Sequence, residues 1–180
     1  MNIVEPIRNK SDLEKIEKAL EKQSLRDLLF FVMGTNSGLR ISDILNLNVE
    51  DVKDKTHITI KEKKTKKYKK FPINEKLKIL IKKHTENRPN REPLFKTVYD
   101  NRLDRHQAYR IINEVCNDVG IDYKVGTHSL RKTFGYHHYM KFKDIAILQK
   151  ILNHSSTSIT LRYIGIEQDR IDESYMNFVL

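Results

Sequence analysis

The sequence predicts a mostly helical domain carrying one small antiparallel β-ribbon, and three observations support that expectation. Most of the chain spaces its apolar residues at helical intervals between recognisable start and stop signals. Only two short stretches, HITIK and YKKFPI, alternate in the manner of strands. With 6 glycines and 4 prolines among 180 residues there is no linker and no composition break, so one domain over residues 1–180 is expected.

In order, Ser11 and Glu14 in SDLE read as a capping box opening a helix that runs to about Lys22. A second helix begins near Ser24, carries DLLFFVMGT as a central buried element and stops near Ser37 and Gly38. In RISDILNL, the residues Ile41, Ile44, Leu45 and Leu47 fall on one inward face of a short helix. HITIK and YKKFPI then form the ribbon, with KEKKTKK at its tip. After Pro72 the chain returns to helix in NEKLKILIKKH and in DRHQAYRIINEVCNDVG, which ends on Gly120. Thr127 is the expected N-cap of a helix starting at about His128, and Asp144 opens another. The Ser and Thr run of ILNHSSTSITLRYIG reads as a polar turn ahead of Tyr163. The end of the chain, DESYMNFVL, presents Tyr175, Met176, Phe178, Val179 and Leu180, too apolar to be left in water.

Composition narrows the function. The net charge of +10 is concentrated: nine lysines between Lys53 and Lys70 stand against only Asp54 and Glu62. A field that dense suits a polyanion such as nucleic acid, and its placement on alternating strands argues against an amphipathic membrane helix. The longest apolar run, Leu28 to Met33, is far below the ~20 residues of a membrane span. MNIVEPIRNK has no apolar segment after its charges, and the lone Cys116 has no internal partner, which together point to a reducing cytoplasm. His137 and His138 with Cys116 lack any familiar zinc spacing, so no metal is expected, and His137 is expected to pack behind the site.

Two basic signatures carry chemistry. In TNSGLRISD, Arg40 follows a helix-ending glycine and Asp43 lies one turn on, in reach of its guanidinium. In GTHSLRKTF, His128 and Arg131 are three apart and project from one face of a helix's first turn, where backbone N–H groups also favour an anion. Taken singly, each pair has an ordinary structural reading as a surface ion pair or a capping histidine. Together with Tyr163 they suit a phosphodiester: two arginines neutralise a pentavalent transition state, a tyrosine attacks once a base such as His128 takes its proton, and a lysine protonates the leaving oxygen.

The order TNSGLRISDILNL, KKTKKYKKFPI, THSLRKTF and ILNHSSTSITLRY resembles the tyrosine recombinase (phage integrase) family over about Ser11 to Asp172. The resemblance implies that family's catalytic-domain fold and a site of Arg40, Lys64, His128, Arg131, His154 and Tyr163, with Asp43 as a buttress. Lys64 is matched by standing eight residues before Pro72, and a slip of the ribbon would nominate Lys63 or Lys66 instead. His154 stands nine before Tyr163 and is expected to hydrogen-bond the phosphate. Lys63, Lys66, Lys67, Lys69 and Lys70 are the expected contacts to double-stranded DNA. Family members usually carry an N-terminal core-binding domain, and none is expected within these residues. The implied activity is site-specific recombination through a 3′-phosphotyrosyl intermediate, with no cofactor, in the nucleoid-bearing cytoplasm, by protomers that associate on DNA as a synaptic tetramer. The alternatives are a topoisomerase IB-like relaxation activity and a catalytically silent DNA-binding module.

Overall fold

The computed structural model describes residues 4–61 and 68–178, with the backbone alone at 167–170. Among these residues the elements run α1 (Lys10–Gln23), α2 (Leu25–Ser37), α3 (Ile41–Ile44), β1 (His57–Lys61), β2 (Tyr68–Pro72), α4 (Glu75–Thr85), α5 (Arg105–Asp118), α6 (Thr127–Phe142), α7 (Ile145–Leu152), α8 (Thr157–Ile164) and α9 (Ile166–Asn177). The expected mostly helical architecture with one antiparallel ribbon is therefore the observed one. No helix among the described residues is long and apolar enough to cross a membrane.

The core is built around α2. Leu29, Phe30, Phe31, Val32 and Met33 are wholly buried, so this helix is apolar on every side and must be enclosed by its neighbours. It packs on α1, α4 and α6, and Ser24 caps it by accepting from the Asp27 amide. Its other end is set by Gly38, whose φ of 62° is left-handed and cheap only for glycine, and whose absent Cβ would lie 2.6 Å from the Phe134 ring. That turn delivers the chain to Arg40 and α3.

A second, smaller cluster of Leu148, Leu152, Ile164 and Ile166 lies between α7, α8 and the start of α9, with Phe134, Tyr139, Leu161 and Tyr163 packed on it. Gly135 lets α8 approach α6, since a Cβ there would meet Ile164 Cγ2 at 2.7 Å. The helix bearing Tyr163 is thus seated on its own small core against the back of α6.

The ribbon pairs His57 with Pro72, Ile58 with Phe71 and Ile60 with Lys69. Ile58, Ile60 and Phe71 are buried, so β1 and β2 share one inward and one outward face. Lys63, Lys64, Lys66 and Lys67 lie outside the described residues.

Three local expectations are corrected. The cap of α1 is Asn9, with no side-chain hydrogen bond, and Ser11 lies inside the helix. The N-cap of α6 is Gly126, not Thr127; Ser129 completes the start by accepting from the Gly126 amide at 3.1 Å. The supposed polar turn is the helix α8: Ser156 is its N-cap, accepting from the Ile159 amide, and Tyr163 stands in its last turn. Clustered Ser and Thr mark helix starts as readily as turns, because a hydroxyl satisfies an orphan N–H in either place.

Candidate active site

Arg131 is the buried anchor of the site, only 4% exposed although charged. It sits in the second turn of α6, and its Nη1 and Nη2 donate to the carbonyls of Gly38 and Leu152. One guanidinium therefore joins the end of α2 to the end of α7 and has its plane fixed by both. The same guanidinium stands near the Tyr163 hydroxyl and favours its ionised form.

Arg40 enters from the turn after Gly38, as the N-cap of α3 with extended backbone. Its guanidinium acts electrostatically on both Tyr163 and His154. Asp43, three residues on in the same short helix, is buried.

His154 follows α7 directly. Asn153 adopts a left-handed φ of 52°, its amide bonds Lys150 O and the His154 amide bonds Gln149 O, a turn that closes the helix and presents the imidazole. His154 Nδ1 lies 3.1 Å from Thr160 Oγ1. The same hydroxyl lies 3.0 Å from Ser156 O; turned toward the imidazole it donates to Nδ1 and leaves the one proton of the neutral ring on Nε2, where it can be given to an anion. The ring packs edge-on against Tyr163, centroids 5.0 Å apart. Burial first, then the cations of Arg131 and Arg40, lower its pKa to about 4, so it is neutral at pH 7.

Tyr163 is half-buried in the last turn of α8. Burial pushes its phenol above the ordinary value, while Arg131 and Arg40 pull it back. At neutral pH the phenol is protonated, and it could attack only once a base takes that proton. His128, exposed on the first turn of α6, is held below the ordinary imidazole value by desolvation and then by Arg105, Arg131 and Lys132, so it is neutral and able to accept a proton.

The structure thus brings Arg40, Arg131, His154 and Tyr163 together, sets His128 one turn before Arg131, and leaves Lys64 outside the described residues. Lys70 is exposed on the outer face of β2, whereas Lys69 is half-buried and donates to Ile151 O at 2.7 Å. His137 is half-buried on α6, with Nε2 2.9 Å from Ile7 O. Among the described residues no group of His, Cys, Asp or Glu is arranged to hold a metal ion.

Sequence reasoning missed several parts. Thr160 holds His154 Nδ1, and nothing in the Ser and Thr run sets it apart from its neighbours. Lys132 places its Nζ 5.6 Å from the Tyr163 ring centroid and bonds Val4 O. Arg8 donates to Gly165 O, at the joint between α8 and α9. Neither of these two carries a local pattern.

Two arginines near a tyrosine, one of them anchored on backbone carbonyls, within a helical body bearing a basic ribbon, define a class suited to phosphodiester transfer. The chain belongs to the phage integrase family, whose sequence pattern matches residues 8–170, and it is a tyrosine recombinase by that membership. It is 48% identical to the probable integrase/recombinase YoeC of Bacillus subtilis (strain 168), over 99% of this chain and 98% of that one. It is 30% identical to the tyrosine recombinase XerA of Pyrococcus furiosus, over 91% of this chain but only 58% of that one. Its fold matches the crystal structure of XerA recombinase with a TM-score of 0.78 at 22% identity, covering 98% of this chain and 63% of that chain. It matches a lambda integrase dimer bound to a COC′ core site with a TM-score of 0.74 at 16% identity, covering 93% and 50%.

Proposed function

We propose that this chain is the catalytic domain of a site-specific DNA recombinase in which Tyr163 attacks a scissile phosphate, forming a 3′-phosphotyrosyl bond and releasing a 5′-hydroxyl. A 5′-hydroxyl of a partner strand then attacks the phosphotyrosine, freeing Tyr163 and joining the strands; the bond energy is kept throughout, so no nucleotide is consumed. Arg40 and Arg131 hold the non-bridging oxygens, His128 takes the tyrosine proton, His154 contacts the phosphate and Lys64 protonates the leaving oxygen. Lys70 on the outer face of β2 contacts double-stranded DNA, as do Lys63, Lys66 and Lys67, which lie outside the described residues. Protomers associate on that DNA, up to a synaptic tetramer, in the nucleoid-bearing cytoplasm.

The observation that carries this reading is the buried Arg131 guanidinium, held on the carbonyls of Gly38 and Leu152, next to a tyrosine that packs edge-on against His154, so that the nucleophile stands by the groups that would hold the phosphate. Support also comes from relatives of known shape solved on DNA, including a lambda integrase tetramer bound to a Holliday junction, with a TM-score of 0.74 at 15% identity over 91% of this chain and 49% of that one.

The test incubates the protein with attachment-site DNA in EDTA, without nucleotide, and seeks a covalent adduct on a denaturing gel. Adduct together with strand-exchanged product is expected. Supercoil relaxation with no exchanged product would favour a topoisomerase instead. A substrate with sulfur in place of the 5′-bridging oxygen leaves unprotonated, so it should rescue Lys64→Ala but not Arg131→Ala; equal failure of both removes the acid role from Lys64.

A further inference from the structure

From the placement of Lys69 we infer that it is a positioning residue, a strut between the ribbon and the site, and not one of the DNA contacts. The inference rests on the recombinase reading above for its functional consequence, but its geometry stands apart from it. Strand alternation divides the basic residues of β2 between two faces. Lys70 pairs with Thr59 on the outer face, whereas Lys69 pairs with Ile60 and shares the inward face with Phe71. A lysine on the buried side of a two-stranded ribbon must bring its ammonium to an acceptor.

That acceptor is Ile151 O, 2.7 Å from Nζ, in the last turn of α7. Carbonyls there have no partner within the helix and carry its negative end, so a cation is doubly favoured. The next carbonyl, Leu152 O, accepts from Arg131 Nη2. Adjacent carbonyls at one helix end therefore receive cations from two separate elements, the ribbon and α6. Directly beyond them stand Asn153 and His154. The ribbon whose outer face meets DNA is in this way tied to the turn that seats His154 and to the anchor of Arg131. Ribbon placement on DNA is thereby passed to the catalytic groups through one side chain.

Two measurements test this on the full chain. Amine acetylation of the parent, read by mass spectrometry with and without duplex DNA, should show Lys70 reacting at least several-fold faster than Lys69. DNA should protect Lys70 and leave Lys69 unchanged; protection of Lys69 by DNA would overturn the inference without any variant. Lys69→Met should speed hydrogen exchange at the Asn153 and His154 amides several-fold and slow adduct formation at saturating DNA by on the order of tenfold, the cost of a misplaced catalytic group. Lys69→Arg, which can still reach a carbonyl, should restore both. Parent-like exchange and adduct rate in Lys69→Met would also overturn it. If the parent itself forms no adduct, the recombinase reading fails, and the exchange at Asn153 and His154 alone decides the strut.

Discussion

Arg131 gives two N–H groups to backbone carbonyls before any substrate arrives, which is how a flexible side chain becomes a fixed clamp. Removing it costs both the fixed charge and the tie between α2 and α7. Arg131→Ala or Arg40→Ala should therefore slow cleavage by on the order of 10²- to 10³-fold at saturating DNA, as measured by single-turnover adduct formation. Near-parent rates in either would remove the clamp from the account. His154 gives a pH dependence. Its folded pKa of about 4 lies below the ordinary 6.5, so between these values the unfolded chain binds a proton that the folded chain does not. Stability is accordingly full above about pH 6.5 and is lost as pH falls toward 4. His154→Asn should lose less melting temperature than the parent between pH 7 and 4.5; equal losses would show that His154 is not buried beside the arginines. Arg40, Arg131, His154 and Tyr163 were legible because fixed residue types recur at fixed spacing. Thr160 was not singled out, since a hydroxyl that sets a histidine tautomer looks in sequence like any other polar residue.

The helix that carries Tyr163, α8, owes its position to a small core of its own. Leu152 and Ile164 are wholly buried where α7, α8 and α6 meet, away from the larger core around α2. Leu152→Ala should cost about 2–5 kcal/mol by leaving a cavity in a cluster with few other members. It should also shift the Tyr163 helix and so reduce adduct formation more than an equally destabilising change in α1, such as Leu20→Ala; thermal melts paired with single-turnover rates separate the two effects. Helices and ribbon were readable from periodicity and caps, with ends misplaced where Ser and Thr serve two roles. Cations spent on backbone carbonyls were not readable. Arg88 holds Pro93 O and Leu94 O, Arg102 holds Leu45 O and Leu47 O, and Lys69 holds Ile151 O, yet in sequence all three count toward a basic surface. Long-range partners of this kind have no local signal.

At the scale of the molecule, charge and apolar surface lie at different places. The ribbon concentrates lysine, while Tyr175, Met176 and Phe178 on and after α9 are 79%, 81% and 70% exposed. That exposed apolar surface is what a second protomer would cover. DNA affinity should fall steeply with salt, by about 0.9 in log–log slope per phosphate neutralised. Truncation before Asp172 should leave that slope intact but lower cooperative binding and cleavage on paired half-sites, by gel-shift titration on one and two half-sites. Unchanged cooperativity would mean that the end of the chain packs on its own protomer. The central claim is that Tyr163 is the nucleophile, and its most direct test maps the covalent link. Adduct formed in EDTA is digested with nuclease and trypsin, and the modified peptide is sequenced by mass spectrometry. The account predicts a nucleotide 3′-phosphate on Tyr163, in the peptide that begins after Arg162, and no adduct from Tyr163→Phe despite DNA affinity within a few-fold of the parent. A phosphoryl link on any other residue, or adduct from the Phe variant, would contradict it.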